Sequence, residues 1–131
     1  MDNPISKEDE DVSRLQLGPD FEGKEMLSIS DVGLILQNQV PKYDPSQLTD
    51  VFNKTLEYTQ RFSRLKNKAT MQEANMLLKD TELHPFEQAQ IKNLCPENVE
   101  EAQGLIPSLA GRDADMLLEV LENLSKLRKY H

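Results

Sequence analysis

Several features that define common protein classes are absent from this sequence or scarce in it. It contains no tryptophan and a single cysteine, Cys95, among 131 residues. One cysteine cannot form an internal disulfide, which favours a reducing compartment such as the cytosol or nucleus. Apolar runs are short, as in Leu34-Ile35-Leu36, whereas crossing a bilayer takes roughly 18 to 20 apolar residues. The acidic N-terminus does not resemble a secretory or mitochondrial targeting segment, so we predict no membrane association.

Basic residues are also scarce relative to acidic ones. The sequence has 15 Lys and Arg against 23 Asp and Glu, which gives a formal net charge of −8. Because affinity for nucleic acid comes largely from Lys and Arg displacing counterions, this charge opposes autonomous DNA or RNA binding. A chain of this length accommodates one modest domain plus an arm.

Residue sets suited to catalysis or metal binding are missing. His84 and Cys95 are the only conventional soft ligands apart from the terminal His131, whereas tetrahedral zinc takes four ligands. Glu100 and Glu101 would diverge by about 100° on a helix and could not share a substrate. We therefore predict no catalytic residue, no metal and no cofactor. Instead, His84 is expected near a helix N-cap and Cys95 as a small buried group at a helix end.

The N-terminal part of the sequence does not have the pattern of a helical bundle. Residues 1–11 are acidic and predict a disordered tail. The following run Leu15-Gln16-Leu17 alternates as strands do, and no second strand-like run is present to pair with it. An extended segment of this kind is typical of strand addition to the sheet of another chain. The alternative is that Leu15, Leu17 and Phe21 fold back on the helices of this chain, since Gly18-Pro19 permits a turn.

The rest of the sequence predicts six helices and no internal sheet. Their start signals are Ser30, Ser46, Thr70, Pro85, Asn98 and Asp113. The helix after Ser46 has apolar residues on one face from Leu48 to Leu65, which predicts that it is the spine of the core. The helix that ends before Pro41 contains Gly33, which costs about 1 kcal/mol relative to Ala and makes this helix dependent on packing. The fold class is therefore an all-α helical bundle preceded by an arm.

One basic cluster departs from the acidic balance. It consists of Arg61, Arg64, Lys66 and Lys68 and follows Tyr58 in the sequence. This cluster is the one candidate for contact with nucleic acid. The alternative is a solvated helix C-terminus, where cations complement the helix dipole.

Two blocks of sequence resemble a known family. They are Thr55 to Asn67, which reads TLEYTQRFSRLKN, and Leu83 to Leu109, which reads LHPFEQAQIKNLCPENVEEAQGLIPSL. Both closely resemble the family of the fourth subunit of eukaryotic RNA polymerase II, which has a related counterpart in the archaeal RNA polymerase. A weaker likeness extends from about Leu15 to the C-terminal helix.

The resemblance implies a non-catalytic polymerase subunit with a helical domain of the helicase-and-RNase-D C-terminal (HRDC-like) type at 41–131. It also implies a partner, the seventh subunit, with which the family forms a stalk near the polymerase clamp and the RNA exit. Nascent RNA would be contacted mainly through that partner, while other surfaces would bind transcription factors and support initiation. The expected location is the nucleus, and also the cytoplasm.

The segment 12–40, comprising the arm and the first helix, is implied to bind the partner. The interface residues carried over from the resemblance are Leu15, Leu17, Phe21, Leu27, Ile29, Val32, Ile35 and Leu36. Two alternatives stay open: a free-standing HRDC-like nucleic-acid accessory module, and a subunit of the plant polymerases specialised for RNA-directed silencing.

Overall fold

Six α-helices form most of the protein in a computed structural model that describes residues 11–21 and 25–130. They are α1 (Ile29–Gln39), α2 (Asp50–Phe62), α3 (Lys68–Lys79), α4 (Pro85–Leu94), α5 (Val99–Leu105) and α6 (Ala114–Tyr130). Within those residues the only sheet-type pairing is an isolated antiparallel bridge between Asp11 and Gln16. The prediction of an all-α protein with six helices is confirmed. The predicted acidic tail, 1–11, lies outside the described residues except for Asp11.

Side-chain caps fix the starts of the later helices as the sequence predicts. His84 caps α4, because its Nδ1 accepts a hydrogen bond of 3.0 Å from the Phe86 N–H. The Glu87 carboxylate accepts reciprocally from the His84 N–H at 2.9 Å, which completes a capping box. Asn98 caps α5 through its side chain, whose Oδ1 accepts from the Glu101 N–H at 2.7 Å, without a reciprocal capping box. These caps satisfy backbone donors that a helix start would otherwise leave unpaired.

Three of the predicted helix starts were wrong. Ser30 lies inside the first turn of α1, and the cap of that helix is Ser28. Ser46 lies within a separate 3₁₀ turn, Pro45–Gln47, and the cap of α2 is Thr49. Helix α3 begins one turn earlier than predicted, with Asn67 as its cap. Thr70 therefore lies inside the first turn of α3 with its side chain buried, and it does not act as a cap. In all three places an alternative polar residue nearby caps the helix instead.

The hydrophobic core is built mainly by helices α3 to α6 and a 3₁₀ turn at Pro107–Gly111. Both α3 and α5 pack against α6. The core side chains of these elements include Met71, Ala74, Leu78, Ile91, Ala102, Leu109, Leu117, Val120, Leu121 and Leu124. Because α6 alone contributes four of them, it is the central helix of the core.

Helix α2 is not the spine of the core, contrary to the sequence prediction. Thr59 is its one fully buried residue, whereas Val51 is 74% exposed and Phe62 is 48% exposed. Instead, α2 packs mainly against α1. Apolar spacing correctly indicated a helix here, but it could not show that another helix, α6, would occupy the centre.

Helices α1 and α2 approach closely at Gly33. A Cβ atom at this position would lie 3.1 Å from Thr59 Cβ and 3.2 Å from Thr59 Oγ1. The glycine that weakens α1 as an isolated helix therefore permits its packing against α2. The adjacent Leu34 packs against the core, so α1 also contacts the main body of the protein.

Candidate partner-binding surface

The described part of the arm begins with a tight loop that rests on the helical body. Asp11 and Gln16 exchange two backbone hydrogen bonds, of 2.8 and 2.9 Å, around a 3₁₀ turn at Val12–Arg14. Leu15 closes this turn with a left-handed φ of 59°. The turn contacts the 3₁₀ turn at Pro107–Gly111. In this single chain the arm thus folds partly onto the body, and addition of a strand to a partner sheet stays a prediction.

All eight predicted interface residues retain access to solvent. Phe21 is 56% exposed, and Leu27 and Ile35 are each 47% exposed. The remaining five are half-buried, namely Leu15, Leu17, Ile29, Val32 and Leu36. Exposed aliphatic and aromatic side chains clustered along one segment are typical of a surface that a partner covers.

The two sides of α1 differ in their surroundings. Ser30, Gly33 and Gln37 line a small cavity of about 120 Å³ that is also lined by Gln60 of α2 and by Ser63, which caps its end. With about 100° of rotation per residue, Val32 and Ile35 project from the opposite side of the helix. We call this side, with Leu36 at its edge, the outer face of α1. The structure therefore brings three of the predicted interface residues together on one exposed face.

Sequence reasoning missed an exposed stripe on α2. Val51, Tyr58 and Phe62 lie on one side of this helix and are 74%, 54% and 48% exposed. The rings of Tyr58 and Phe62 are 4.6 Å apart, and the Arg61 guanidinium lies 5.6 Å from the Phe62 ring. The spacing of Val51 and Phe62 resembled that of core residues, and no signal in the sequence distinguished the two cases. We call Val51, Tyr58 and Phe62, together with the adjacent Arg61, the α2 stripe.

A polar network anchors the start of α1 to the body. Ser28 caps α1 in a reciprocal capping box with Asp31. Lys92 on α4 donates from Nζ to the Asp31 carboxylate and to the Asn75 amide oxygen on α3, both at 2.7 Å. The Asn93 side chain accepts from the first N–H of α1 at 2.7 Å. We call these five residues the α1 anchor, and they hold α1 in place by contacts that the apolar pattern of the sequence does not reveal.

The charge of the Asp31 carboxylate is stabilised within this anchor. Burial acts to raise its pKa, but hydrogen bonds from Lys92 and Ser28 outweigh burial and lower the pKa below its usual value. Lys92 is itself 7% exposed, so this ion pair is largely shielded from solvent. A shielded pair with several additional hydrogen bonds fixes geometry more strongly than an exposed pair.

A second buried ion pair supports the turn on which the arm rests. Glu87 is fully buried, and its carboxylate accepts from Arg112 Nη2 at 2.7 Å and from Ser108 Oγ at 2.8 Å. Burial acts to raise the pKa of Glu87, yet hydrogen bonds from Arg112, the His84 N–H and Ser108 lower it overall. The start of α4 and the Pro107–Gly111 turn are thereby joined.

The predicted basic cluster is only partly brought together. Arg61, Arg64, Lys66 and Lys68 are all exposed. Arg61 lies beside Phe62 on the α2 stripe. By contrast, Arg64 and Lys66 line a groove that they share with the sequence-distant Arg128. A nucleic-acid contact by the four predicted residues stays a prediction.

The histidine and cysteine considered as metal ligands, His84 and Cys95, lie at the two ends of α4. His84 caps α4, while Cys95 is buried and ends the same helix with a left-handed φ of 44°. Burial raises the pKa of the Cys95 thiol. Across residues 11–21 and 25–130 no group of three potential metal-binding side chains occurs. Over the same ranges no helix is both long enough and apolar enough to span a bilayer.

Comparison with known proteins places this architecture in a family. The family profile described as RNA polymerase Rpb4 matches residues 8–131. DNA-directed RNA polymerase II subunit rpb4 of Schizosaccharomyces pombe is 36% identical over 128 residues, covering 93% of this chain and 94% of the relative. The subunit of the same name in Dictyostelium discoideum is 32% identical over 155 residues, covering 100% of both chains. DNA-directed RNA polymerase II subunit 4 of Arabidopsis thaliana is 34% identical over 134 residues, covering 95% of this chain and 97% of the relative.

These matches extend well beyond the two blocks that carried the resemblance. The profile covers the arm, all six helices and the turns between them. The relatives are named as subunits of a polymerase, which agrees with the prediction of a non-catalytic subunit. On this evidence the chain belongs to the RNA polymerase Rpb4 family.

Proposed function

We propose that this chain is a non-catalytic subunit of DNA-directed RNA polymerase II that forms a stalk heterodimer with the seventh subunit. The names of its relatives support membership of that polymerase, and with it a role in transcription and a nuclear location. The observation that supports the proposed heterodimer is the outer face of α1, which is exposed and is tied to the body by the α1 anchor. Presence in the cytoplasm is a further part of the proposal.

The outer face of α1 has the chemistry of a protein interface. This face presents the aliphatic side chains of Val32, Ile35 and Leu36. The arm, which leads into α1, presents the exposed side chains of Phe21 and Leu27. Covering such side chains removes apolar area from water, which contributes about 25 cal/mol for each Å² buried. A partner that covers this face and the arm together would gain most of its affinity from these residues.

The α1 anchor prepares this face for binding. Lys92 on α4 donates directly to Asp31 and is itself held by the Asn75 amide oxygen on α3, which ties the start of α1 to the body. A surface that is already ordered loses less conformational entropy when a partner binds. The anchor thus raises affinity without contacting the partner.

The arm and first helix, 12–40, and the bundle, 41–131, have different roles in this proposal. The former binds the seventh subunit, with the arm adding a strand to its sheet. The HRDC-like bundle keeps the α2 stripe free for transcription factors and lies near the polymerase clamp. Tyr58, Phe62 and Arg61 on that stripe are residue types enriched at the centres of interfaces.

The negative charge of the chain is consistent with indirect handling of RNA. A net charge of −8 repels a polyanion and leaves nascent RNA to the partner subunit. The isolated chain is therefore expected to bind RNA weakly at physiological salt, and the heterodimer is expected to bind it well.

The heterodimer is tested by replacing Ile35 with Asp. A charge on the outer face would be buried at the interface, and we expect affinity for the seventh subunit to fall by about 2 kcal/mol or more, which is roughly 30-fold. Val51→Asp is the matched control, since it places the same charge on the exposed α2 stripe. Isothermal titration calorimetry measures both, and circular dichroism verifies that both variants are folded.

Two outcomes of this experiment would contradict the proposed interface. If Ile35→Asp binds as the unmodified chain does, the outer face of α1 is not the contact. If Val51→Asp alone loses binding, the partner docks on the α2 stripe instead.

A second candidate function is a free-standing nucleic-acid accessory module of the HRDC-like type. The groove lined by Arg64, Lys66 and Arg128 is the observation that favours it. This alternative requires tight RNA binding by the isolated chain in a gel-shift assay at physiological salt. The proposed polymerase subunit requires the reverse, with tight binding only after the partner is added.

A further inference from the structure

We propose that the groove between the α2–α3 connection and the C-terminal part of α6 binds the phosphate group of a phosphorylated peptide. The groove has a volume of about 340 Å³ and is lined by Arg64, Lys66, Asn67, Thr70 and Arg128 together with two leucines. It is separate from the outer face of α1, so this inference does not depend on the proposed heterodimer.

Three cations converge on the groove from distant parts of the sequence. Arg64 and Lys66 come from the connection that follows α2, whereas Arg128 comes from the last turns of α6. None of the three forms an ion pair within the part of the chain that the structure describes. This local positive charge stands against a net charge of −8 for the whole chain. Arginine groups are well suited to bind phosphate oxygens through pairs of N–H donors.

Buried donors at the start of α3 complement these cations. Thr70 is 3% exposed, and its Oγ1 has no hydrogen-bond partner among the described residues. The Asn67 cap accepts from the Ala69 N–H at 2.8 Å, and no partner is described for the Thr70 N–H. A buried hydroxyl without a partner is uncommon in folded proteins. Because the N-terminus of a helix also favours negative charge, these donors are placed to bind an anion.

The groove suits a phosphorylated peptide better than a nucleic acid. Leu65 and Leu127 contribute apolar surface to it, while no aromatic ring occurs among the side chains described along its wall. Single-stranded nucleic acids are commonly bound by stacking bases on aromatic side chains. A long polyanion would also be repelled strongly by the acidic remainder of the surface, whereas a short peptide with one phosphate would be repelled much less. A phosphoserine or phosphothreonine dianion therefore matches the site.

The test uses the full chain and a short peptide whose only charged side chain is one phosphoserine. We expect binding to shift the amide NMR signals of Lys68 and Thr70, while the same peptide without phosphate binds at least about tenfold more weakly. Arg64→Gln and Arg128→Gln should each weaken binding by about tenfold, since each removes charge-assisted hydrogen bonds. Thr70→Val should weaken it several-fold while preserving shape. Arg61→Gln is the matched control and should leave affinity unchanged, because Arg61 lies on the α2 stripe.

Several outcomes would overturn the inference. Equal affinity for the phosphorylated and unphosphorylated peptides would show that the phosphate is not recognised. Equal affinity for inorganic phosphate would remove the role of the peptide, and tighter binding of a short oligouridylate would identify RNA as the occupant. Full affinity in Thr70→Val would show that the buried hydroxyl takes no part. All variants change exposed charges or remove an unpaired hydroxyl, so each is expected to fold, and circular dichroism verifies this.

Discussion

The four helices α3 to α6 and the α1–α2 pair are stabilised by different kinds of interaction. Helices α3 to α6 enclose a continuous apolar core around α6, with residues such as Leu117 and Leu121 almost fully buried. The α1–α2 pair has Gly33 packed on Thr59 and a polar anchor, and it leaves much of its aliphatic and aromatic surface in contact with solvent. Helices α3 to α6 therefore bury most of their apolar side chains within the protein, whereas the α1–α2 pair leaves apolar surface that the proposed partner would cover.

The largest expected difference in stability is between side-chain truncations in these two regions. Leu121→Ala leaves a cavity beside α6 and is expected to lower the free energy of unfolding by about 2 to 5 kcal/mol. Val51→Ala, on the α2 stripe, should change it by less than about 0.5 kcal/mol, because this side chain is already in solvent. Urea denaturation followed by circular dichroism measures both. A loss at Val51 as large as that at Leu121 would mean that α2 contributes to the core after all.

A smaller effect is expected from removal of the ion pair in the α1 anchor. Lys92→Met keeps most of the apolar stem but leaves the Asp31 carboxylate without its cation. It should cost about 2 kcal/mol, because the carboxylate keeps its hydrogen bonds from Ser28. The exposed Lys54 provides the control, and Lys54→Met should be within about 0.5 kcal/mol of the unmodified chain. The backbone amides of α1 should also exchange hydrogen faster in Lys92→Met. The amides of α6 should keep the same ranking of protection against exchange relative to one another. Unchanged exchange in α1 would show that the anchor does not hold this helix.

The free energy of unfolding of Lys92→Met should also depend on pH in a way that can be predicted. Hydrogen bonds from Lys92 and Ser28 overcome burial and lower the pKa of Asp31 in the folded state. Its contribution to stability is therefore present above the unfolded pKa of about 3.9 and is lost as pH falls through the folded value. One group can change this slope by at most about 1.4 kcal/mol per pH unit. Lys92→Met should lose stability less steeply below about pH 4, and an unchanged slope would exclude Asp31 as a contributor.

The sequence predicted the helices better than their arrangement. Caps and prolines marked α4 and α5, because the signals at His84 and Asn98 act locally. The role of α2 was mistaken, since apolar spacing is the same whether a face meets a core or stays exposed, as Val51 shows. The α1 anchor joins residues 61 positions apart, Asp31 and Lys92, and no local pattern can reveal such a contact.

The candidate site was predicted in part. The outer face of α1 follows from helical periodicity together with the family resemblance. The groove lined by Arg64 and Arg128 could not be predicted, because it forms only when the end of α6 packs beside the start of α3. The unpaired hydroxyl of Thr70 was likewise hidden, since its sequence context indicated a cap.

The smallest expected effect concerns the close contact between α1 and α2 at Gly33. Gly33 and Gly104 both lie within helices, and replacing either by Ala gains about 0.5 to 1 kcal/mol of helix propensity. A Cβ at Gly104 meets no atom within 4 Å, so Gly104→Ala should raise the free energy of unfolding by that amount. A Cβ at Gly33 meets Thr59 Cβ at 3.1 Å, so the α1–α2 contact must widen by a few tenths of an ångström, at a cost of about 1 to 3 kcal/mol. Gly33→Ala should therefore lower stability slightly, by up to about 2 kcal/mol once the propensity gain is subtracted. Equal stabilisation by both substitutions, measured in parallel urea titrations, would show that the α1–α2 contact yields easily and that the pair is held by its polar anchor alone.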